Sequence, residues 1–139
     1  MGVQAEGSQT DIDFLIWGDS HAHAVAPLAD RLARKYRLSG SLAISHGQAP
    51  LIGVWHSPHN GPNSERTEKV LRFVKSHKIR NVILIGRWEA YVEVAPDGNK
   101  RGLIIDDLAV SSSATESKNV FRRSLKKMVS EFADAGATL

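Results

Sequence analysis

The sequence predicts an α/β domain in which helices cover both faces of a parallel sheet. Three short, continuous apolar runs, at residues 14–17, 42–44 and 82–86, have the length of buried strands. A segment whose apolar residues repeat at helical spacing follows each run, directly or after a loop. This alternation of strand and helix is the main reason to expect parallel strands.

The first predicted strand ends at Gly18, and an amphipathic helix follows it. Its apolar residues at helical spacing are Val25, Leu28, Ala29, Leu32 and Tyr36. Its charged face holds Asp30, Arg31, Arg34 and Lys35. Pro27 lies in the early part of this helix, where a proline bends the axis. Residues 46–63, after the second strand, are rich in Gly, Pro, His and Asn, which predicts a long loop.

Two further helices and a hairpin are expected in the second half of the chain. The second helix is predicted over residues 65–77, with Val70, Phe73, Val74 and His77 facing inward. A turn signal at residues 96–99 separates residues 92–94 from 103–105, which predicts a hairpin. Ser113 and Glu116 form a capping-box pattern before a last helix that ends near Ala135, ahead of Gly136. The apolar face of that helix holds Phe121, Leu125, Met128, Val129 and Phe132.

The bulk composition is that of a globular domain with no special partner signal. The chain has 139 residues, 42% hydrophobic and 24% charged, which fits one domain. The net charge is only +3 and its positive charges are dispersed, so no nucleic-acid partner is expected. No apolar stretch approaches the roughly 20 residues that cross a bilayer. Residues 1–10 are expected to be a flexible lead or a remnant of expression, and residues 11–139 to be the N-terminal part of one domain.

The chemistry is expected at Gly18-Asp19-Ser20-His21, between the first strand and its helix. Ligands of open α/β sheets bind beyond the carboxyl ends of the strands, where this motif lies. A serine at a helix N-terminus has free backbone N–H groups beside it that stabilise an oxyanion. Ser20 is therefore the candidate nucleophile, although a serine also needs a base. The competing interpretation is that Asp19 or Ser20 only caps the helix.

The motif resembles the first block of SGNH (GDSL-like) hydrolases, above all the SGNH domains fused to bacterial integral-membrane type 3 acyltransferases. The matching residues run from Leu15 through Gly18-Asp19-Ser20-His21 to Ala22, with His23 and Pro27 close behind. The resemblance implies a flavodoxin-like three-layer parallel sheet. It also implies Ser20 as the catalytic residue, with Asp19 and His21 lining the site.

The later blocks of the resemblance are weaker. The second block implies an oxyanion-hole glycine, for which Gly47 is the candidate. The third block usually reads Gly-x-Asn, whereas this chain has Gly86-Arg87-Trp88. The fused group often has an Arg-Trp pair there, so Arg87 becomes a candidate oxyanion donor and Trp88 a candidate lining residue. Arg87 and Trp88 are both also open to a purely structural interpretation, as contacts at the end of a strand.

The fourth block, Asp-x-x-His, which supplies the catalytic histidine of SGNH enzymes, does not occur in this sequence. We therefore expect the sheet to be incomplete at its C-terminal side and the base to lie outside these residues. The isolated chain is then a poor catalyst. A domain that naturally lacks this histidine is the other possibility. A local histidine is a further one, from His21, His23, His46, His56 or His59.

By resemblance, the expected reaction is acetyl transfer through acyl-Ser20 to a hydroxyl of a cell-envelope carbohydrate. The partners are then an acyl donor, a carbohydrate acceptor and a fused or associated membrane acyltransferase domain. The resemblance places the domain at the periplasmic or extracytoplasmic face of the bacterial inner membrane. Water as the acceptor would make the protein an esterase. No cofactor or metal is expected.

Two alternatives of other classes stay open. Asp19-Ser20-His21-Ala22-His23 also resembles the Asp-x-His-x-His element of metal-dependent hydrolases, in which His21 and His23 would bind one metal. Two histidines at this spacing point the same way on an extended chain but diverge on a helix. The second alternative is a non-catalytic SGNH-like domain that binds a glycan or a partner protein.

Overall fold

The protein has the expected α/β fold, as seen in a computed structural model that describes residues 11–56 and 64–139. In chain order the elements are β1 (Phe14–Gly18), α1 (Ser20–Tyr36), β2 (Gly40–Ile44), β3 (Trp55–His56), α2 (Ser64–Ser76), β4 (Asn81–Ile85), α3 (Trp88–Val92), β5 (Ile104–Ile105) and α4 (Ala114–Asp134). The three strands predicted from apolar runs are β1, β2 and β4. Among the described residues, no helix is long and apolar enough to span a bilayer.

The main sheet has the strand order β2-β1-β4, and both pairings are parallel. Gly18, the last residue of β1, lies level with Ile44 of β2 and Ile85 of β4. The three strands therefore end together, and the residues that follow them meet at one edge of the sheet. On the outer side of β4, Thr138 forms a parallel bridge with Asn81, so the last residues of the chain take the fourth position in this order.

The main core lies on one face of the sheet. Its buried members include Leu15, Trp17, Val70, Val74, Met128 and Phe132. The rings of Trp17 and Phe132 are 6.2 Å apart, which ties β1 to α4. Side chains alternate between the two faces of a strand, so Ile16 lies on the opposite face from its two neighbours, and it is also buried.

The predicted hairpin between residues 92–94 and 103–105 is wrong. Val92 ends the short helix α3, and β5 pairs in antiparallel fashion with β3 instead. The turn itself is present, because the Ala95 N–H donates to the Asn99 carbonyl. The partner strand β3 lies inside the segment predicted as a loop over residues 46–63. Residues 46–54 contain no helix or strand, as predicted, and residues 57–63 lie outside the described residues.

The predicted helix faces are only partly right. The inward placement of His77 and Val129 is wrong, because both side chains are exposed. Two serines of α4, Ser117 and Ser124, are buried although they are polar. Their burial is tolerated because their hydroxyls donate to the carbonyls of Ile104 (2.8 Å) and Ile52 (2.6 Å). These bonds satisfy two buried backbone acceptors. The predicted capping by Ser113 is confirmed, since its hydroxyl accepts from the Glu116 N–H at 3.2 Å.

Helix α1 buries little of its apolar stripe. The residues buried in α1 are Ala22 and Ala33, whereas Leu28, Leu32 and Tyr36 are 46%, 44% and 61% exposed. Ile83 of β4 is also 46% exposed. In the described part of the chain, the apolar side chains of Leu28, Leu32, Tyr36 and Ile83 are therefore largely open to solvent.

Gly18 sits where β1, β4 and α1 come closest together. A Cβ atom added there would lie 2.1 Å from the Ile85 carbonyl oxygen and 2.4 Å from the Ala22 Cβ. Both are far inside van der Waals contact, and one of them is backbone. The end of β1 can therefore approach β4 this closely only with glycine at this position.

We predict that Gly18→Ala lowers the free energy of unfolding by about 3 kcal/mol, because the backbone must move to admit the methyl group. Urea denaturation measures the change. Gly98→Ala is the control, since Gly98 has a positive φ of 80° but open space around it. Its cost should be only about 1 kcal/mol, that of the left-handed backbone. Equal losses in the two variants would contradict the close-approach explanation.

Candidate active site

Ser20 is the first residue of α1 and its side chain is exposed. The N-cap of the helix is Asp19, whose carboxylate accepts from the His21 N–H at 2.7 Å. Because Asp19 performs the capping, the Ser20 hydroxyl is not needed for it. As the first helical residue, Ser20 also has a backbone N–H without an intrahelical acceptor.

The carboxylate of Asp19 is the most connected polar group of this edge. Its Oδ1 accepts from His21, while its Oδ2 accepts from the Arg87 N–H at 2.8 Å and from the Tyr91 hydroxyl. Asp19 is only 2% exposed. Burial opposes its charge, but the hydrogen bonds from Tyr91, Arg87 and His21 outweigh burial and hold its pKa below the ordinary value.

Tyr91 anchors this network from α3. Burial and the neighbouring Asp19 charge raise the pKa of the Tyr91 hydroxyl far above its usual range, so the hydroxyl stays protonated as a donor. Its ring packs near those of His56 (5.4 Å) and Trp88 (6.3 Å). The tyrosine therefore links the Gly18-Asp19-Ser20 turn to the small β3–β5 sheet.

The two histidines that follow Ser20 lie on α1 and have different neighbours. The Nδ1 atom of His21 is 3.3 Å from Asp19 Oδ1. The ring of His23 lies 5.4 Å from that of His46, at the end of β2. The two rings therefore contact different groups, Asp19 for His21 and His46 for His23. In the described part of the chain, no group of three or more potential ligands could hold a metal ion.

Gly47 lies in an exposed turn directly after β2. The Ser45 N–H donates to the Gly18 carbonyl at 2.9 Å, and the Gln48 N–H donates to the Ser45 carbonyl at 3.2 Å. Gly47 has a φ of 69°, which favours glycine, and the space beside its Cα is open. The turn therefore stands at the same sheet edge as Ser20, as the candidate oxyanion glycine requires.

Arg87 and Trp88 follow β4 at this edge. The backbone N–H of Arg87 is occupied by Asp19, so only its exposed guanidinium is left as an oxyanion donor. The Trp88 ring is half-buried and packs 5.6 Å from Phe121 of α4. Its contacts are those of a residue that fixes α3 on α4.

None of the described histidines is hydrogen-bonded to the Ser20 hydroxyl. The Nδ1 atom of His56 lies 2.9 Å from the Gly102 carbonyl oxygen. Burial lowers the pKa of the His56 imidazole. Its Nε2 atom is buried without a partner among the described residues. His59 lies outside the described residues.

Sequence reasoning missed Tyr91 as a residue of this site. Its bond to Asp19 spans 72 positions, and the residues between them carry no pattern that predicts the contact. The short helix α3, which the sequence analysis did not predict, is what carries Tyr91 to this edge of the sheet.

The exposed serine at the carboxyl end of β1, directly after the buried Gly18-Asp19 turn, agrees with the resemblance of this motif to SGNH-type hydrolase and acyltransferase domains. A family model described as "SGNH domain (fused to AT3 domains)" matches residues 3–139. The chain therefore belongs to this family of SGNH domains fused to AT3 domains. Comparisons with curated proteins and with solved structures found no match.

We predict that Tyr91→Phe lowers the free energy of unfolding by about 2 kcal/mol, because a hydrogen bond to a buried carboxylate is lost. Chemical denaturation measures the change. Tyr36→Phe is the matched control, since Tyr36 is 61% exposed and its change should stay below about 0.5 kcal/mol. A Tyr91→Phe variant as stable as that control would show that the hydroxyl contributes nothing.

We also predict a pH-dependent loss of stability in Asp19→Asn. Both oxygens of the Asp19 carboxylate accept hydrogen bonds from N–H groups. An asparagine amide has only one oxygen acceptor, and its NH₂ group would face one of these donors without forming a hydrogen bond. Since the pKa of Asp19 is depressed in the folded state, its contribution is present above about pH 4 and is lost as pH falls through the folded pKa.

Denaturation midpoints of wild type and Asp19→Asn between neutral and acid pH measure this contribution. The gap between the two proteins should be widest at neutral pH and should narrow on acidification. Asp107→Asn, at an exposed position, should show little gap at any pH. A gap for Asp19→Asn that is the same at every pH would mean that the charge of Asp19 is not what stabilises the turn.

Proposed function

We propose that the protein catalyses serine-dependent acyl transfer through an acyl-Ser20 intermediate. The observation that carries this proposal is that Asp19, and not Ser20, caps the start of α1. Asp19 caps the helix and joins it to the loop after β4, which leaves the Ser20 hydroxyl exposed and unengaged. A serine needed only for capping would bond the helix N–H groups itself.

In the proposed first step, a histidine base takes the proton of the Ser20 hydroxyl while its oxygen attacks the carbonyl carbon of the acyl donor. The tetrahedral oxyanion then accepts hydrogen bonds from the backbone N–H groups of Ser20 and Gly47, and the Arg87 guanidinium is a further donor. Collapse of this intermediate breaks the bond to the leaving group, which receives the proton from the histidine. The acyl group remains as an ester of Ser20.

In the second step, a hydroxyl of the acceptor attacks the ester carbonyl and gives its proton to the same base. The Ser20 oxygen leaves and regains a proton, so no net proton is consumed. The fusion of this family to AT3 domains supports a carbohydrate hydroxyl of the cell envelope as acceptor and acetyl as the acyl group. On this proposal the domain works at the periplasmic or extracytoplasmic face of the membrane. If water replaces the carbohydrate as acceptor, the same mechanism makes the protein an esterase.

The base is proposed to come from outside these 139 residues, since they contain no Asp-x-x-His. His21 is a poor substitute, because it is adjacent to Ser20 on a helix and neighbouring helical residues do not face each other. Its ring is instead drawn toward Asp19. His23 is a neighbour of Ser20 on the helix surface, but neither it nor any other described histidine is hydrogen-bonded to the Ser20 hydroxyl, so the chain on its own should hold an unactivated serine.

We predict that Ser20→Ala abolishes acyl transfer in the protein that contains the AT3 domain, with a loss of at least about a thousandfold. Release or transfer of labelled acetyl groups measures the rate. Ser130→Ala is the control, because Ser130 is exposed on α4, away from the sheet edge, and its rate should be unchanged. Acyl transfer that persists in Ser20→Ala would remove Ser20 as the nucleophile.

We further predict that a fluorophosphonate probe labels Ser20 of the isolated chain slowly or not at all, because the base is missing. Intact and peptide mass spectrometry give the extent and position of the label. Rapid labelling at Ser20 would show that a local histidine serves as base. Alanine variants of His21, His23, His46, His56 and His59, made one at a time, would then identify which one.

A further inference from the structure

A cavity of about 680 Å³ runs along β2, the edge strand of the described sheet, and is bounded by α1 and α2. This volume is typical of small-molecule sites. Its apolar lining includes Leu15, Trp17, Ala43, Val70 and Phe73 on one face of the sheet, and Leu42 and Ile44 on the opposite face of β2. Polar groups come from Ser41 and Ser45, which lie on the same face of β2 as Ala43, and from His23 and His46. The cavity therefore combines an apolar floor with several hydrogen-bonding groups.

Among the residues that the structure describes, the charged ones that line the cavity are both cations, Arg66 and Lys69 of α2, and no carboxylate lines it. The Arg66 guanidinium donates to the Gln48 side-chain oxygen at 3.1 Å. Because the Gln48 amide is neutral, this contact does not neutralise the charge of Arg66. Lys69 pairs with Glu65 at 2.7 Å, but both side chains are exposed, so the pair is weak. An anion in the cavity would therefore meet net positive charge.

The cavity opens close to the nucleophile. His23 lies three residues after Ser20 on α1, so the two side chains are neighbours on the helix surface. His46 packs against His23 at 5.4 Å, and the adjacent Ser45 is bonded through its N–H to Gly18. A ligand in the cavity would thus present its nearer end to the sheet edge where Ser20 stands.

We propose that this cavity binds a carboxylated sugar of the acceptor glycan, with Arg66 as the carboxylate ligand and Lys69 assisting. The inference rests on the proposed function, which makes the acceptor a carbohydrate. Arginine matches a carboxylate with two parallel hydrogen bonds, which fixes the orientation of the sugar. The apolar floor then faces the C–H side of the ring, while serine and histidine groups bond its hydroxyls.

The test uses the 139-residue chain with Ser20→Ala, so that no ester is formed or cleaved. Binding of trigalacturonate and of neutral galactotriose is measured by isothermal titration calorimetry. We expect trigalacturonate to bind at least about tenfold more tightly than galactotriose, the factor that one charge-assisted hydrogen bond supplies. Arg66→Gln should weaken trigalacturonate binding about tenfold, and Lys69→Gln should weaken it less.

Arg72→Gln and Lys75→Gln are the matched controls, because both residues are exposed on α2 but do not line the cavity. They should leave binding unchanged, and circular dichroism confirms that every variant is folded. Equal binding of the two sugars, or equal weakening by Arg66→Gln and Arg72→Gln, would overturn the proposal. So would decanoate or inorganic pyrophosphate binding more tightly than trigalacturonate, which would mark a fatty-acid or phosphate site.

Failure of this proposal is distinguishable from failure of the proposed function. Binding is read in a variant without the Ser20 hydroxyl, whereas acyl transfer is read in the protein that contains the AT3 domain. Loss of acidic-sugar selectivity with intact Ser20-dependent transfer would overturn only the acidic acceptor. Intact selectivity without Ser20-dependent transfer would overturn only the nucleophile.

Discussion

The buried carboxylate of Asp19 joins two parts of the chain that the backbone of the sheet alone would leave free. It caps α1 through the His21 N–H and holds the loop after β4 through the Arg87 N–H and the Tyr91 hydroxyl. A buried charge is costly unless it is fully hydrogen-bonded, and here both oxygens are satisfied. Asp19 therefore fixes the position of Ser20 against both α1 and the loop after β4. The Ser20 hydroxyl itself takes no part in this network.

Such a clamp needs loops that approach one another without side chains in the way. Gly18 provides this at the end of β1, where an added Cβ would lie 2.1 Å from the Ile85 carbonyl oxygen. The fit at Gly86, after β4, is looser: a Cβ there would lie 3.4 Å from Asp19 Oδ2 and 3.3 Å from the Pro50 ring. The loops after all three parallel strands therefore meet beside Gly86. The Gly-Asp pair before the serine is thus a packing requirement as much as a chemical motif.

The features that the sequence could predict are those determined by near neighbours along the chain. The three apolar runs became the parallel strands, and Ser113 caps α4 as its spacing to Glu116 predicts. The pairing of β5 with β3 could not be predicted, because Trp55 and Ile105 are brought together only by the packing of α4. For the same reason Ser20 could be found from a local motif, whereas Tyr91 could not.

On the proposed mechanism, the geometry around Asp19 also explains why the base should be a separate residue. A carboxylate that orients a catalytic histidine must spend an oxygen on the imidazole N–H. Asp19 already accepts from two backbone N–H groups and a tyrosine hydroxyl, and its approach to the His21 ring is 3.3 Å. Its role is thus to build the turn. On this mechanism the proposed base is a histidine that Asp19 does not orient, and it would have to approach from the open side of the Ser20 hydroxyl.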